Sequence, residues 1–147
     1  MSDGTYWLST NLRLSELDCH DGTAVPVSKI GNAEAGAREV FQPIRTKWNA
    51  PIIVVSGYRT LAWNRSVGGA KTSTHLFDGD DFGIDIKPVY GADVRRLHDL
   101  ILVMWKAKLL PALGGLGLYK NWVHVDNRRA PDGHLRRWNG NGVGAEK

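Results

Sequence analysis

His124 lies inside Trp122-Val123-His124-Val125-Asp126. Read as a strand, this segment alternates with period two, so Trp122, His124 and Asp126 share one face and the two valines the other. An imidazole and a carboxylate are thereby presented together. His75 follows Ser73-Thr74 in a polar loop that runs through Asp78, Asp80 and Asp81 to Gly83-Ile84-Asp85-Ile86. Isoleucines flank Asp85, so its backbone reads as buried strand and its carboxylate needs a partner. A catalytic zinc takes three ligands from His, Asp, Glu or Cys and leaves a fourth position to a water whose acidity it raises. Two histidines and a carboxylate meet that count, but buried histidines and aspartates more often satisfy hydrogen bonds than bind a metal, and spacing alone is weak evidence for the site. The other three of the five histidines read differently. His98 stands beside core positions of a helix, as a helix-flank residue. His20, in Asp18-Cys19-His20-Asp21-Gly22, belongs to a polar turn or a second metal site, and His134, after Pro131-Asp132-Gly133, is expected to be exposed.

The elements that must position these residues can be read from periodicity. Ala37, Val40, Phe41, Ile44 and Trp48 recur at three- and four-residue steps, which predicts an amphipathic helix over Ala33 to Trp48, bent or split at Pro43. Ile52 to Val55 is a β-branched run between Pro51 and Gly57 and predicts a buried strand. A short helix from Thr60 to Val67, closed by Gly68-Gly69, precedes the His75 loop. Ile84 to Lys87 predicts a strand. Val94, Leu97, Ile101 and Met104 predict a helix from Ala92 to about Leu109, ended by Pro111 and Gly114-Gly115. Gly117 to Tyr119 and Trp122 to Asp126 predict two strands joined by a hairpin turn at Lys120-Asn121. Helices first, strands later and hairpin links imply an α+β domain with a small antiparallel sheet flanked by helices.

A chain of 147 residues can bury one apolar core and is too short for two, so one domain is expected, ordered over about residues 12 to 138 and followed by a Gly-rich, frayed tail. Its 42% hydrophobic and 23% charged content excludes the disordered and fibrous classes. The longest apolar stretch, around Leu100 to Trp105, is far short of a membrane span of roughly 20 residues. Met1 to Thr10 lacks the basic-then-apolar pattern of a signal peptide, which implies synthesis in the cytoplasm and delivery by other means. The single Cys19 forms no internal disulfide and reads as core filler. A formal charge of +4 and a pI near 9.4, with Arg128, Arg129, Arg136 and Arg137 close together, imply either an anionic partner or a solvated basic face. Nucleic acid is a weak candidate partner, because no basic stripe interleaved with aromatics is present.

Read in order, Ser56-Gly57-Tyr58-Arg59-Thr60, Asn64, Val67-Gly68-Gly69-Ala70, Ser73-Thr74-His75, Gly83-Ile84-Asp85-Ile86, Gly114-Gly115-Leu116-Gly117-Leu118-Tyr119 and Trp122-Val123-His124-Val125-Asp126 resemble the zinc D-alanyl-D-alanine carboxypeptidase family. That family includes phage endolysins and murein endopeptidases. The segment Leu14 to Gly22 is similar to the N-terminal part of its cell-wall branch. The resemblance extends from about Leu12 to Trp138 and implies the α+β fold of hedgehog and D-Ala-D-Ala peptidases. It also implies a Zn2+ ion held by His75, Asp85 and His124, Arg59 gripping a peptide carboxylate or carbonyl with its guanidinium fork, and Ser73 near the substrate. Ser73 as a turn former, Arg59 as a brace of the site and Trp122 as cleft lining or core filler are the accompanying readings.

Two departures from the family pattern bear on the chemistry. His75 and Asp85 are ten residues apart, against the family's usual seven, which reads as an insertion within Asp78-Gly79-Asp80-Asp81-Phe82 and leaves Asp78 or Asp81 as alternative ligands. Many members carry an acidic general base three positions before the last histidine, where this chain has Asn121, which cannot accept a proton. Asp126 is then the candidate catalytic base, or else an orienter of a ligand histidine. The implied activity is zinc-dependent hydrolysis of peptide bonds in peptidoglycan stem peptides or cross-links by a monomeric phage lysis or virion-associated protein acting on the cell wall. The rival from another class is a catalytically impaired, zinc-containing wall-binding or virion structural module.

Overall fold

The computed structural model describes residues 4–90 and 93–140. A two-stranded hairpin of β1 (Trp7–Ser9) and β2 (Leu12–Arg13) opens the chain. After two short 3-10 turns, Leu14–Leu17 and Val27–Lys29, comes a long helix in three parts, α1 (Ile30–Gly36), a π-helical stretch (Ala37–Phe41) and α2 (Gln42–Trp48). The widened turn has a cause in the sequence. Pro43 offers no amide hydrogen and crowds the carbonyl four residues back, and the turn before it opens so that the Gln42 amide reaches Ala37 instead. Pro43 therefore neither ends nor splits the predicted helix, which begins at Ile30 rather than Ala33. Asn49, in the left-handed conformation at φ 57°, closes it.

The second sheet holds β3 (Ile52–Ser56), β4 (Gly83–Pro88), β5 (Gly115–Leu118), β6 (Val123–Asp126) and β7 (Arg136–Asn139), in the order β3-β4-β6-β5-β7. The first four pair antiparallel, and β7 joins β5 in parallel. The α+β architecture with a small sheet thus stands as expected, with two additions that periodicity did not show, the N-terminal hairpin and the parallel fifth strand. β3 is an edge strand, so Ile53 is 41% exposed and the strand is less buried than its β-branched run implies.

Alternation on β4 and β6 sorts chemistry from core. Ile84, Ile86, Val123 and Val125 are fully buried in the apolar cluster, together with Val40, Phe41 and Ile44 of the long helix. Asp85, His124 and Asp126 project from the opposite face. Between the strands, α3 (Leu61–Ser66) is N-capped by Thr60, whose hydroxyl accepts the Trp63 amide at 3.1 Å.

The other large helix, α4 (Val94–Lys106), places Val94, Leu97, Ile101 and Met104 in the core. At about 1.5–3 kcal/mol for each fully buried large aliphatic side chain, that stripe outweighs the marginal stability of an isolated helix this short. His98 shares the buried stripe and is not the flank residue its neighbours imply; its Nδ1 lies 2.9 Å from the Asp99 carboxylate. α4 ends before Leu109. Lys108 turns left-handed at φ 63°, and the amides of Lys108 and Leu109 return to the carbonyls of Trp105 and Met104, so a backbone cap and not Pro111 stops the helix. Ala92, where the predicted helix begins, and most of the Gly-rich tail lie outside the described residues.

Candidate metal centre

His75 reaches the centre from a 3-10 turn, Thr74–Leu76, whose N-cap is Ser73. The Ser73 hydroxyl accepts the His75 amide at 3.2 Å, so in this structure it serves as the turn former. The His75 Nδ1–H donates to the Gly57 carbonyl at 2.7 Å. That bond sets the tautomer and leaves Nε2 as the nitrogen with a lone pair to offer, 3.3 Å from Asp85 Oδ1.

Asp85 and His124 are paired across β4 and β6. The His124 Nδ1 lies 3.0 Å from Asp85 Oδ1, and its Nε2 lies 2.8 Å from Asp126 Oδ2. The two imidazole rings are 5.2 Å apart. One donor atom each from His75, Asp85 and His124 falls within 4.8 Å of the other two. Asp85 Oδ1 is the oxygen close to both His75 Nε2, at 3.3 Å, and His124 Nδ1, at 3.0 Å, which makes these three the candidate donor atoms.

Charge in this buried cluster is held by mutual contact. Burial pushes His75 below its ordinary 6.5, and the nearby Asp85 offsets only part of that. Burial would depress His124 as well, but hydrogen bonds to Asp126 and Asp85 reverse the sign and raise it to about 9. Burial raises Asp85 and Asp126, yet the histidines beside them hold both below the usual carboxylate range, with Arg136 adding to the effect at Asp126. Without a metal, His124 is therefore an imidazolium between two carboxylates. A metal ion would take the place of its Nδ1 proton. Two imidazole nitrogens and a carboxylate oxygen, with each histidine's far nitrogen anchored by a carbonyl or a carboxylate, are a donor set that fits a divalent cation.

Arg59 borders the cluster. Its Nη2 is 3.5 Å from Asp85 Oδ2, its Nη1 donates to Asn64 Oδ1 at 3.2 Å and its Nε to Ser56 Oγ at 3.4 Å. The buried Asn64 is in turn anchored on the Ala70 carbonyl. Arg59 thus braces the site while its guanidinium stays close to the candidate metal position.

The loop between His75 and Asp85 is held away from the centre. Lys29 pairs with Asp78 at 2.9 Å and donates to the Leu76 carbonyl, and the Asn32 side chain donates to the carbonyls of Phe77, Gly79 and Asp81. Arg128 takes Asp81 and the Thr72 carbonyl. Among these acids, the one brought to the two histidines is Asp85, with Asp78 and Asp81 engaged elsewhere. The same contacts show that part of the C-terminal arginine cluster is internal bracing, since Arg129 also bonds to the Pro111 carbonyl.

Asp126 is 1% exposed. Its Oδ2 meets His124, while its Oδ1 accepts the Arg128 amide at 2.9 Å and the Arg136 guanidinium at 2.5 Å. Both oxygens are occupied, which is the arrangement of an orienting carboxylate rather than of a base facing a cleft. Asn121 is exposed in the β5–β6 turn. Trp122 stacks on Tyr119, with ring centroids 5.0 Å apart, and the tryptophan beside His124 is Trp138 at 5.3 Å. Motif reading passed over Trp138, Arg136 and Thr74, whose hydroxyl lies 3.4 Å from His124 Nε2. The available signal was the alternation of Gly115 and Gly117 with leucines.

Among the described residues, no helix is long and apolar enough to cross a membrane. No curated protein and no solved structure matches the chain. The family model described as Peptidase M15 matches residues 10–126, a stretch that contains His75, Asp85, His124 and Asp126. With most of its length so matched and a His-Asp-His group able to hold a metal, the chain belongs to the peptidase M15 family of metal-dependent peptidases.

Proposed function

We propose that this M15 peptidase is a zinc enzyme that cleaves peptide bonds in bacterial peptidoglycan, within stem peptides or at their cross-links. The observation that carries the metal assignment is the convergence of His75 Nε2, Asp85 Oδ1 and His124 Nδ1 from three separate segments. Two nitrogens and one oxygen suit zinc better than the harder magnesium or calcium, which prefer oxygen alone. When bound there, zinc would polarise a peptide carbonyl and make its remaining water ligand acidic.

The chain's own residues divide the remaining tasks. Arg59 presents a cation for a peptide carboxylate or carbonyl, and its ties to Asn64 and Ser56 fix the fork before substrate arrives. Ser73 holds the His75 turn, and the resemblance sets it near the substrate. Asp126 orients His124. Trp122 and its partner Tyr119 form an aromatic wall at the β5–β6 turn. The wall substrate rests on the resemblance to endolysins and murein endopeptidases in the ordered motifs from Ser56 to Asp126. Its setting on this reading is a phage lysis or virion-associated protein, monomeric and folded as one domain.

The test is digestion of purified sacculi by the zinc-loaded protein, with products resolved by mass spectrometry. Released D-alanine marks a carboxypeptidase and new amino termini within the peptides mark an endopeptidase. Sacculi left intact across pH and zinc concentration sink the wall substrate. A second reading, a zinc-containing wall-binding module with impaired catalysis, is favoured by Asn121 at the usual base position and by the full occupation of Asp126. Binding to sacculi without product would support it.

A further inference from the structure

Resting on the metal reading above, we infer that β7, which lies beyond the family-matching stretch, is a positioning element of the metal centre and acts on His124 through Arg136 and Asp126. β5 runs between β6 and β7, and the register across the three strands forms two rungs. Gly115 stands opposite Asp126 on one side and Arg136 on the other, and Gly117 stands opposite His124 and Trp138. Strands two apart are roughly 10 Å from each other, so their side chains meet only if the residue between them has none. A Cβ on Gly115 would fall 2.4 Å from Asp126 Oδ2 and 2.6 Å from Arg136 Nη2, and one on Gly117 would fall 2.5 Å from Trp138 Nε1. The two glycines are gaps through which β7 reaches β6.

Through the first gap, Arg136 Nη2 donates to Asp126 Oδ1 at 2.5 Å. Through the second, the Trp138 ring lies 5.3 Å from the His124 ring. Each of these side chains is itself secured. Arg136 Nε donates to the Arg128 carbonyl at 2.9 Å, and the guanidinium lies 5.6 Å from the centre of the Trp138 ring. Trp138 Nε1 donates to the Tyr119 hydroxyl at 3.0 Å. With Oδ1 gripped by Arg136, Asp126 turns Oδ2 to His124 Nε2 at 2.8 Å. That leaves Nδ1 as the nitrogen aimed at Asp85. A carboxylate held by the Arg128 amide alone can turn about its broad, two-fold χ2 torsion, and His124 would lose its fixed orientation with it.

The experiment uses the full chain as wild type, Arg136→Ala, Arg136→Gln, Arg136→Lys and Arg137→Ala. Zinc dissociation constants come from competition with a chelator, and the exchange-protected Nε2–H proton of His124 is followed by NMR in the metal-free protein. Loss of Arg136 is expected to weaken zinc binding by roughly ten- to hundred-fold, the usual effect of removing a group that orients a ligand, and to abolish the protected resonance. Arg136→Lys recovers part of the affinity, because it keeps the charge without the planar fork that spans Asp126 and the Arg128 carbonyl. Arg137→Ala, at an exposed position that alternation puts on the other face of β7, leaves both readouts unchanged. An unaltered zinc constant or an unaltered resonance in Arg136→Ala overturns the inference; should that variant not fold, Arg136→Gln decides on the same terms. If wild type binds no zinc, the metal reading fails separately, and the resonance in the metal-free protein alone judges the role of β7.

Discussion

Stripping the metal and raising the pH should destabilise this protein through one identifiable histidine. In the metal-free protein His124 is raised from the ordinary 6.5 to about 9, and a group whose pKa is higher folded than unfolded lends stability that is complete below the unfolded value and lost as pH climbs through the folded one. Between 6.5 and about 9, at 1.36 kcal/mol per unit, the loss comes to about 3 kcal/mol out of the 5–15 kcal/mol typical of a domain, roughly. Asp85 and Asp126, held below the carboxylate range, contribute constantly over that window and fail only in acid. His75, lowered by burial, has the opposite sign to His124 and costs stability as pH falls below 6.5. Metal-free stability should therefore peak near pH 6.5 and decline on both sides. Urea denaturation in the presence of a chelator, at intervals from pH 5 to 9.5, measures this directly. Asp126→Asn removes the main support for the raised value and should flatten the alkaline limb. A wild-type stability that holds level or rises between pH 6.5 and 9 would refute the imidazolium between two carboxylates.

Elemental analysis of His75→Ala, Asp85→Ala and His124→Ala should show that each loses the zinc that wild type holds at about one per chain, a ratio expected of a three-ligand site, whereas Asp78→Ala and Asp81→Ala retain it. Arg59→Lys should lower kcat/KM on a stem-peptide substrate by about ten- to hundred-fold, since a charge-assisted hydrogen bond is worth about 1.5–3 kcal/mol; unchanged kinetics would reduce Arg59 to a brace. Asp126→Asn separates base from orienter in a second way, because an orienter loses zinc affinity whereas a base loses kcat at full zinc occupancy. Ile101→Ala, emptying a fully buried position of α4, should cost about 2–5 kcal/mol in denaturant titration with zinc content per folded chain unchanged.

Much of this geometry was legible because β4 and β6 obey a period of two. Isoleucines and valines face the core and leave Asp85 on one strand and His124 with Asp126 on the other pointing to the far side, an alternation the sequence displays; the pairing of β4 with β6 that brings Asp85 to His124 is a contact between strands distant in the chain. The ordered motifs likewise located the His75 turn and Arg59. What escaped was set by neighbours distant in the chain. β7 carries two arginines, a tryptophan and an asparagine, a composition without an apolar alternation, and its place in the sheet is set by backbone pairing with β5, with Gly115 and Gly117 leaving room for its side chains to reach β6. His98 is buried by the packing of α4 and not by its own character. Lys108 ends α4 through a left-handed cap, a conformation that composition assigns to glycine or asparagine before lysine.

The loop between His75 and Asp85 bears on how such sites are recognised at all. Lengthening a closed loop from seven to ten residues costs only about 0.3 kcal/mol in chain entropy, less than a single hydrogen bond of the kind that Asn32 and Lys29 lend to its carbonyls. Selection can therefore vary the interval between the first two candidate ligands almost freely, so long as α1 stays in place to receive the slack. A search pattern with a rigid His-to-Asp interval discards chains of this kind. A pattern that tolerates length there, and instead looks for a polar side chain early in the long N-terminal helix, would follow the contacts that hold this loop in place.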